Sequence, residues 1–216
     1  MANPPTSLIK PIFAVKHSLD KGYHLVATRD IKAGTLVLDE KPLIVLSQSF
    51  QNDNAWLVHT RIEMLLQKMN EKNVMDFHIL YCSPDADTDT IHHNRFYKNC
   101  FNLENQFDGP EVPREDGCFK YASRINHACS PNTEATYYRA LGRQKVYALK
   151  DIAAGDDFTV SYTNVLASRQ SRQEDLETRY GFQCCCEACS LDTEESTDRD
   201  RRLQIVQRTL ESVHSS

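Results

Sequence analysis

Apolar and polar residues alternate at the start of the chain, and the alternation then gives way to a longer period. Phe13, Ala14 and Val15 read as a first short strand. Tyr23, Leu25 and Ala27 alternate with His24 and Val26 behind Gly22, which predicts a strand over 21–28 entered from a glycine turn. A turn at 30–34 separates it from further strands at 35–38 and 43–46. From residue 53 the period becomes helical: Val58, Ile62, Leu65 and Met69 share a face, with Asp53 or Asn54 as the cap. Asn73 is the expected cap of a second short helix carrying Val74, Phe77 and Leu80. This stripe reads as core, not as a binding face. An exposed loop follows at 83–89, then a third helix at 90–98 with His92 and His93 in solvent.

The stretch 105–117 is rich in Pro, Gly and Asp and reads as a loop. Residues 133–138 and 144–149 alternate as two strands joined at Leu141 and Gly142. A helix over 165–179 puts Leu166, Gln170, Gln173 and Leu176 on one face. Leu203, Val206 and Leu210 suit one amphipathic C-terminal helix, packed on the domain or on a partner. Residues 148–155 (Ala-Leu-Lys-Asp-Ile-Ala-Ala-Gly) echo 27–34 (Ala-Thr-Arg-Asp-Ile-Lys-Ala-Gly). One strand–turn–strand unit is used twice, which falls short of a solenoid repeat.

Length and composition narrow the class. A chain of 216 residues with 40% apolar and 25% charged residues buries a core, as one domain with an insertion or as two small lobes. A net charge of −5 excludes non-specific nucleic-acid binding as the main task, and suits basic partners such as lysine-rich tails. The polar opening at 1–7 lacks the cationic and apolar regions of a secretory signal. No run approaches the roughly 20 apolar residues of a membrane span. The eight cysteines are therefore expected in a reducing compartment, cytosol or nucleus, where clustered thiols mean metal more often than disulfides. Lys145, Lys150 and the group Arg199, Arg201 and Arg202 are too sparse to mark an import signal.

Candidate chemistry concentrates in two stretches. Residues 124–132 (Arg-Ile-Asn-His-Ala-Cys-Ser-Pro-Asn) bring together an amide, an imidazole, a thiol and a hydroxyl, and Pro131 shapes them into a loop. Residues 184–189 hold a CxCxxC triplet. A closed zinc site takes four ligands, and Cys129 is the natural fourth.

Residues 126–132 match the NHxCxPN signature of SET-domain lysine methyltransferases. Residues 155–162 (Gly-Asp-Asp-Phe-Thr-Val-Ser-Tyr) resemble their GEExxxxY signature, and the triplet resembles their post-SET zinc motif. The resemblance runs from about Phe13 to Cys189 and extends to fungal SET-domain and SET-and-MYND proteins. It implies an α+β fold of mainly short strands, a β-clip with pseudoknot-like C-terminal threading. The implied order is a SET domain over 8–165 with a helical insert at about 50–103, a post-SET zinc segment over 166–190, and a charged tail over 191–216. Only Cys82, Cys100 and Cys118 fall between Pro42 and Asn126, too few for a two-zinc MYND finger.

The same resemblance implies S-adenosylmethionine and zinc as cofactors and a protein lysine as methyl acceptor. Lys21, Gly22 and Tyr23 inherit backbone contacts to the cofactor, beside a His24 where relatives often carry glycine. Asn99, in Asn99-Cys100-Phe101, resembles an asparagine-x-phenylalanine element that reaches it. Ser123 and Ile125 present backbone groups, Asn126 meets the amino-acid part, and His127 lies nearer the adenine. Tyr162 matches the catalytic tyrosine. Tyr180, counted with it as catalytic, and Phe182 match positions that line the lysine channel and cover the cofactor. Cys129, Cys184, Cys186 and Cys189 would hold zinc, with Cys185 pointing away.

The implied reaction is an in-line displacement governed by positioning, helped by an aromatic channel that disfavours the lysine ammonium. The expected partner is a histone or non-histone protein. No direct nucleic-acid or membrane contact is expected, and the chain is expected to act as a monomer in nucleus or cytoplasm. The alternative is a catalytically silent, zinc-stapled SET module for protein–protein interaction, for which His24 and the Asp156–Asp157 pair are the features. A redox role lacks the βαβ pattern that would support it.

Overall fold

The computed structural model describes residues 11–50, 53–104, 109 and 111–214; the opening residues 1–7 lie outside that set. β1 (Phe13–Ser18) and β2 (Gly22–Ala27) pair as an antiparallel hairpin. Gly22 turns it at φ +60°, a region that residues with a Cβ rarely enter. β3 (Leu36–Glu40) and β4 (Ile44–Ser47) follow where the alternation placed them. The change of period then yields α1 (Ala55–Leu66), α2 (Glu71–His78) and α3 (Ile91–Asn99).

Two details of this insert differ from expectation. Asn54 caps α1 by accepting from the Leu57 N–H at 2.9 Å, but the cap of α2 is Asn70. Asn73 already sits in the first turn and donates its N–H to Asn70 Oδ1 at 2.9 Å; a cap needs the extended backbone that Asn70 has, ψ 153°. His92 and His93 are partly buried instead of free in solvent. The His92 ring stacks on His59 at 4.6 Å and on His78 at 5.4 Å, and His93 packs on Tyr97 at 4.7 Å. Burial, then His59 and His78, pushes the His92 pKa down to about 4. His59, Glu63 and His92 come within ligand distance of one another. However, His59 Nδ1 accepts the His92 N–H at 3.3 Å and its Nε2 faces Glu63 at 3.6 Å, so the cluster is accounted for as helix capping and packing.

A third correction concerns the 105–117 loop. After β5 (Phe101–Asn102), residues at its end form β6 (Glu115–Cys118). This strand is central in the sheet β4-β6-β5, with Val45 opposite Gly117. Residues 105–108 and 110 lie outside the described set. The remaining strands are β7 (Asn126–His127), β8 (Thr133–Tyr138), β9 (Arg143–Ala148) and β10 (Thr159–Val160). A second antiparallel sheet runs β3-β9-β8, and β7 pairs in parallel with β10. The 124–132 stretch, expected as a loop, therefore contains a two-residue strand.

α4 (Arg169–Tyr180) starts after its Ser168 cap and not at 165; α5 (Glu187–Ser190) and α6 (Thr193–His214) complete the chain. α6 packs on the domain through Asp200, which accepts the Arg169 N–H at 2.9 Å. Its distal half exposes Ile205, Val206, Leu210 and Val213. No helix among the described residues is long and apolar enough to cross a membrane.

The sheets share one core of Leu25, Ile31, Val37, Phe119, Val146, Ile152 and Phe158. Val58, Ile62, Phe77 and Phe96 seat the insert against Ile44 and Cys118. The two echoing segments meet face to face within the first core. Ile31 and Ile152 exchange N–H···O bonds at 2.8 and 2.9 Å, Gly34 N–H donates to Ala148 O at 2.8 Å, and Gly155 N–H donates to Ala27 O at 2.9 Å. Asp30 accepts from Ala154 N–H at 2.9 Å, and Asp151 from Ala33 N–H at 3.0 Å. Each copy thus closes the other's turn.

Glu40 organises the approach to the central motif. Its carboxylate accepts the N–H groups of Tyr121 at 3.1 Å and Ala122 at 2.6 Å. Leaving a buried N–H without a partner costs about 1–3 kcal/mol. Glu40→Ala is therefore expected to lower unfolding stability by about 2 kcal/mol or more in urea denaturation followed by circular dichroism.

Candidate active site

Two stretches far apart in sequence are laced together. Ala128 N–H donates to Val160 O at 3.0 Å. Asn132 accepts the Thr159 N–H and donates to Asp157 O, both at 2.8 Å, and Thr133 Oγ1 donates to Thr159 O at 2.8 Å. The lacing sets Asn126, His127 and Cys129 alongside Tyr162.

The Tyr162 hydroxyl donates to Ile125 O at 2.8 Å. Burial, then Tyr180, lifts its pKa well above the ordinary tyrosine value, so it stays protonated at neutral pH. Its ring centre lies 4.9 Å from Tyr180 and 5.4 Å from His127; Phe182 stands 6.4 Å from Tyr180 and 6.3 Å from His127. Gly181 makes this grouping possible. At φ +79° it ends α4, sends its N–H back to Glu177 O at 2.9 Å, and swings the chain into Phe182 and the cysteines.

His127 Nδ1 accepts the Tyr162 N–H at 3.0 Å, so the ring proton sits on Nε2, which faces Cys129 Sγ at 3.2 Å. Burial, then Arg172, pushes its pKa down to about 4. Both ring nitrogens are engaged by the protein.

The glycine turn is tied to the same motif. Asn126 Nδ2 donates to Lys21 O at 3.1 Å, and its Oδ1 has no partner among the described residues. Lys21 pairs with Asp157 at 2.8 Å. His24 is buried, with Nδ1 at 3.0 Å from Gly22 O and Nε2 at 3.5 Å from Asp157. Asp156 accepts the Ala153 N–H at 3.2 Å. The features that pointed towards a silent module therefore have structural tasks. Tyr23 is exposed, 5.2 Å beneath the Arg124 guanidinium. Ser123 Oγ accepts from Phe119 N–H at 2.9 Å and donates to Asn99 O at 2.7 Å. The Asn99 amide is buried and donates to Tyr81 O at 2.7 Å and Arg95 O at 2.6 Å. Its backbone O meets Ser123, while its side chain pins the end of α3.

Cys129, Cys184, Cys186 and Cys189 are free thiols with sulfurs within 4.8 Å of one another, and Cys129 and Cys189 lie 3.5 Å apart. Four sulfurs about 2.3 Å from one zinc stand about 3.8 Å apart, so this cluster can hold a metal ion. Cys185 is exposed and outside it. Burial pushes the Cys129 thiol up to about 11. Burial also opposes a Cys186 thiolate, but the Cys129 N–H at 3.4 Å and the neighbouring Cys184 thiol outweigh it and bring Cys186 down to about 7.

Three residues of this centre were not singled out as functional in the sequence. Gln173 clamps Cys184, donating to its O and accepting from its N–H at 2.7 Å each. Arg199 donates to Cys129 O at 3.3 Å. Arg172 is 1% exposed, and its Nε and one Nη find no hydrogen-bond partner. Desolvation opposes its charge, but Cys129 and Cys189 hold its pKa above the ordinary arginine value. Its other Nη donates to Ala167 O and stands 3.9 Å from the Asp200 carboxylate; four thiolates on a divalent ion would carry a net charge of about −2, which the same guanidinium would help to offset. The available signal was an arginine one helical turn before the buried Leu176, on the same face.

Comparison with known proteins shows the family of the chain. The SET domain model matches residues 22–163. "Histone-lysine N-methyltransferase set5" of Schizosaccharomyces pombe is 28% identical over 203 residues, covering 92% of this chain and 58% of that protein. "Histone-lysine N-methyltransferase SET5" of Meyerozyma guilliermondii is 39% identical over 83 residues, 37% of this chain and 17% of its own length. "Histone-lysine N-methyltransferase ASHR1" of Arabidopsis thaliana is 33% identical over 107 residues, 50% of this chain and 22% of its own. The chain thus spans little more than half of the first of these relatives and under a quarter of the other two. With the domain match extending over well above half of its residues, the chain belongs to the SET domain family.

Proposed function

We propose that this chain is the catalytic part of a protein-lysine N-methyltransferase that uses S-adenosylmethionine, with zinc at the cysteine centre and a histone as its first candidate substrate. One observation carries the reading: Tyr162, Tyr180 and Phe182 form an aromatic wall beside His127, next to Asn126 in the motif, and the four clustered cysteines join the chain after Phe182 to Cys129. The relatives' names support the substrate class, which would place the reaction in the nucleus. The acidic balance of −5 steers a basic tail towards the protein. In this reading the SET domain covers 8–165, the zinc segment 166–190 and the tail 191–216, and the chain acts as a monomer.

S-adenosylmethionine, when bound, supplies a methyl group on a sulfonium. Asn126 Oδ1 offers an open acceptor for an ammonium, while Lys21, Gly22, Tyr23, Ser123 and Ile125 offer backbone groups around it. Asn99 and His127 set the position of these elements. Tyr180 and Phe182 exclude water and disfavour the substrate ammonium. Free lysine, with a pKa of about 10.4, is neutral in only about one molecule in a few thousand at pH 7. The substrate proton leaves to solvent before transfer. Tyr162 is neutral and its proton is pinned on Ile125 O, so its oxygen lone pairs remain to accept from the amine N–H and aim it.

The test is transfer of labelled methyl from S-adenosylmethionine to histones and a peptide array by the wild-type chain. Incorporation on lysine is expected. Tight cofactor binding without transfer to any substrate overturns the reading in favour of a binding module. Asn126→Ala is expected to weaken cofactor binding by about 1–3 kcal/mol, roughly 5- to 150-fold in Kd. Unchanged affinity by calorimetry, with circular dichroism intact, removes Asn126 from the pocket.

A further inference from the structure

A single imidazole bridges the two halves of the site. His127 Nδ1 receives the backbone N–H of Tyr162 at 3.0 Å, and its Nε2 lies 3.2 Å from Cys129 Sγ. A neutral imidazole has one donor and one acceptor. Because the Tyr162 N–H can only donate, Nδ1 must be the acceptor and Nε2 must carry the proton, aimed at the sulfur. The ring is half-buried, packed 5.4 Å from Tyr162 and 6.3 Å from Phe182. It is therefore held by contacts on its edge and on its face.

We infer that His127 is a positioning residue: its ring donates to the Cys129 sulfur and, through that fixed tautomer, holds the backbone of Tyr162 in place. The inference rests on the methyltransferase reading for Tyr162 and on a metal at the cysteines, and it assigns the ring a task that differs from contact with the cofactor. A ligand thiolate that accepts an outer hydrogen bond is oriented by it, and loss of such partners weakens metal binding by about 10- to 100-fold. A tyrosine whose backbone loses its anchor keeps its chemistry but loses aim, which lowers turnover without changing cofactor affinity.

Two substitutions separate the two ring nitrogens. His127→Asn places an acceptor near the Nδ1 position but cannot reach Cys129. His127→Gln places a donor near the Nε2 position but cannot accept from Tyr162. In chelator competition on the full zinc-loaded chain, His127→Asn is expected to lose zinc about 10- to 100-fold more readily, while His127→Gln stays within about twofold of wild type. In zinc-saturated methylation assays, His127→Gln is expected to lose about tenfold or more in kcat at unchanged cofactor KM, the mark of lost aim, and to fall clearly below His127→Asn. Nitrogen-15 spectra of histidine-labelled wild type are expected to show the Nε2-protonated neutral tautomer. Equal loss of both properties in both variants would mean that the ring only packs. A raised cofactor KM at unchanged kcat would make it a cofactor contact, and an Nδ1-protonated ring would break the relay outright. A wild type that binds zinc but transfers no methyl group overturns the methyltransferase reading alone, since the zinc comparison still decides the Cys129 contact. A wild type without zinc overturns this inference.

Discussion

Tyr162→Phe is expected to slow single-turnover methylation by roughly 10²-fold or more, about 2.7 kcal/mol, while cofactor affinity stays within a few-fold of wild type. The substitution removes one oxygen and keeps the ring, so the contacts with Tyr180 at 4.9 Å and His127 at 5.4 Å survive. It also strips Ile125 O of its 2.8 Å donor, a stability loss of about 1 kcal/mol that leaves the protein folded at assay temperature. The rate falls because the hydroxyl oxygen aims the amine only as the transition state forms, and such an interaction lowers kcat without raising ground-state affinity. The neutral state of Tyr162, enforced by burial, makes a further point testable: between pH 7 and 9 the wild-type rate should follow deprotonation of the substrate lysine and not of the enzyme. Equal single-turnover rates for Tyr162→Phe and wild type would reduce Tyr162 to a packing residue and remove the proposed catalytic role.

The second large effect is at the cysteine centre. A Cys129→Ser, Cys184→Ser double variant is expected to lose one equivalent of zinc relative to wild type, and methylation with it. Cobalt-substituted protein should lose its sulfur charge-transfer band in parallel. Isolated zinc-finger peptides gain about 10–16 kcal/mol from their ion. Here much of the fold has its own core, so the loss falls mainly on the segment after Gly181. A stability loss of about 4 kcal/mol would lower the thermal midpoint by roughly 8–16 °C at this chain length. The functional loss should exceed the stability loss, because Phe182 lies on the stretch between the end of α4 and the cysteines and loses its fixed place when they part. Zinc content unchanged by the double substitution would move the metal elsewhere.

The sequence shows the cysteines and Tyr162 and hides what joins them. The CxCxxC spacing and the tyrosine at 162 are local signals, so they could be picked out without knowing what they touch. Gln173, Arg172 and Arg199 meet the cysteine segment only because α4 and α6 come to rest against it; the helical face shared with Leu176 marks the first two as inward-facing but does not say what they meet. β6 stayed hidden because Glu115, Asp116, Gly117 and Cys118 show no apolar alternation; its strand character comes from β4 and β5 on either side. Asn70 and Asn73 lie three residues apart with the same side chain. Only the backbone tells which one stands outside the helix. Asn99 and His127 stand out in the sequence by their motifs, but that their side chains bond Tyr81 O and the Tyr162 N–H depends on partners far away in the chain.

The exchange of hydrogen bonds between the 27–34 and 148–155 turns also bears on the order in which the protein can be made. The two copies lie more than half the chain apart, and each supplies the acceptors for the other's backbone N–H groups. A nascent chain emerging from the ribosome presents the first turn long before its mate exists. Contacts of such separation make folding slow and leave edges open meanwhile. Val146, Ile152, Phe158 and Val160 also join the main core from the late half. Folding should therefore be a late, nearly all-at-once event, and stalled chains ending before about residue 145 should be digested by protease while chains carried past Tyr162 resist it.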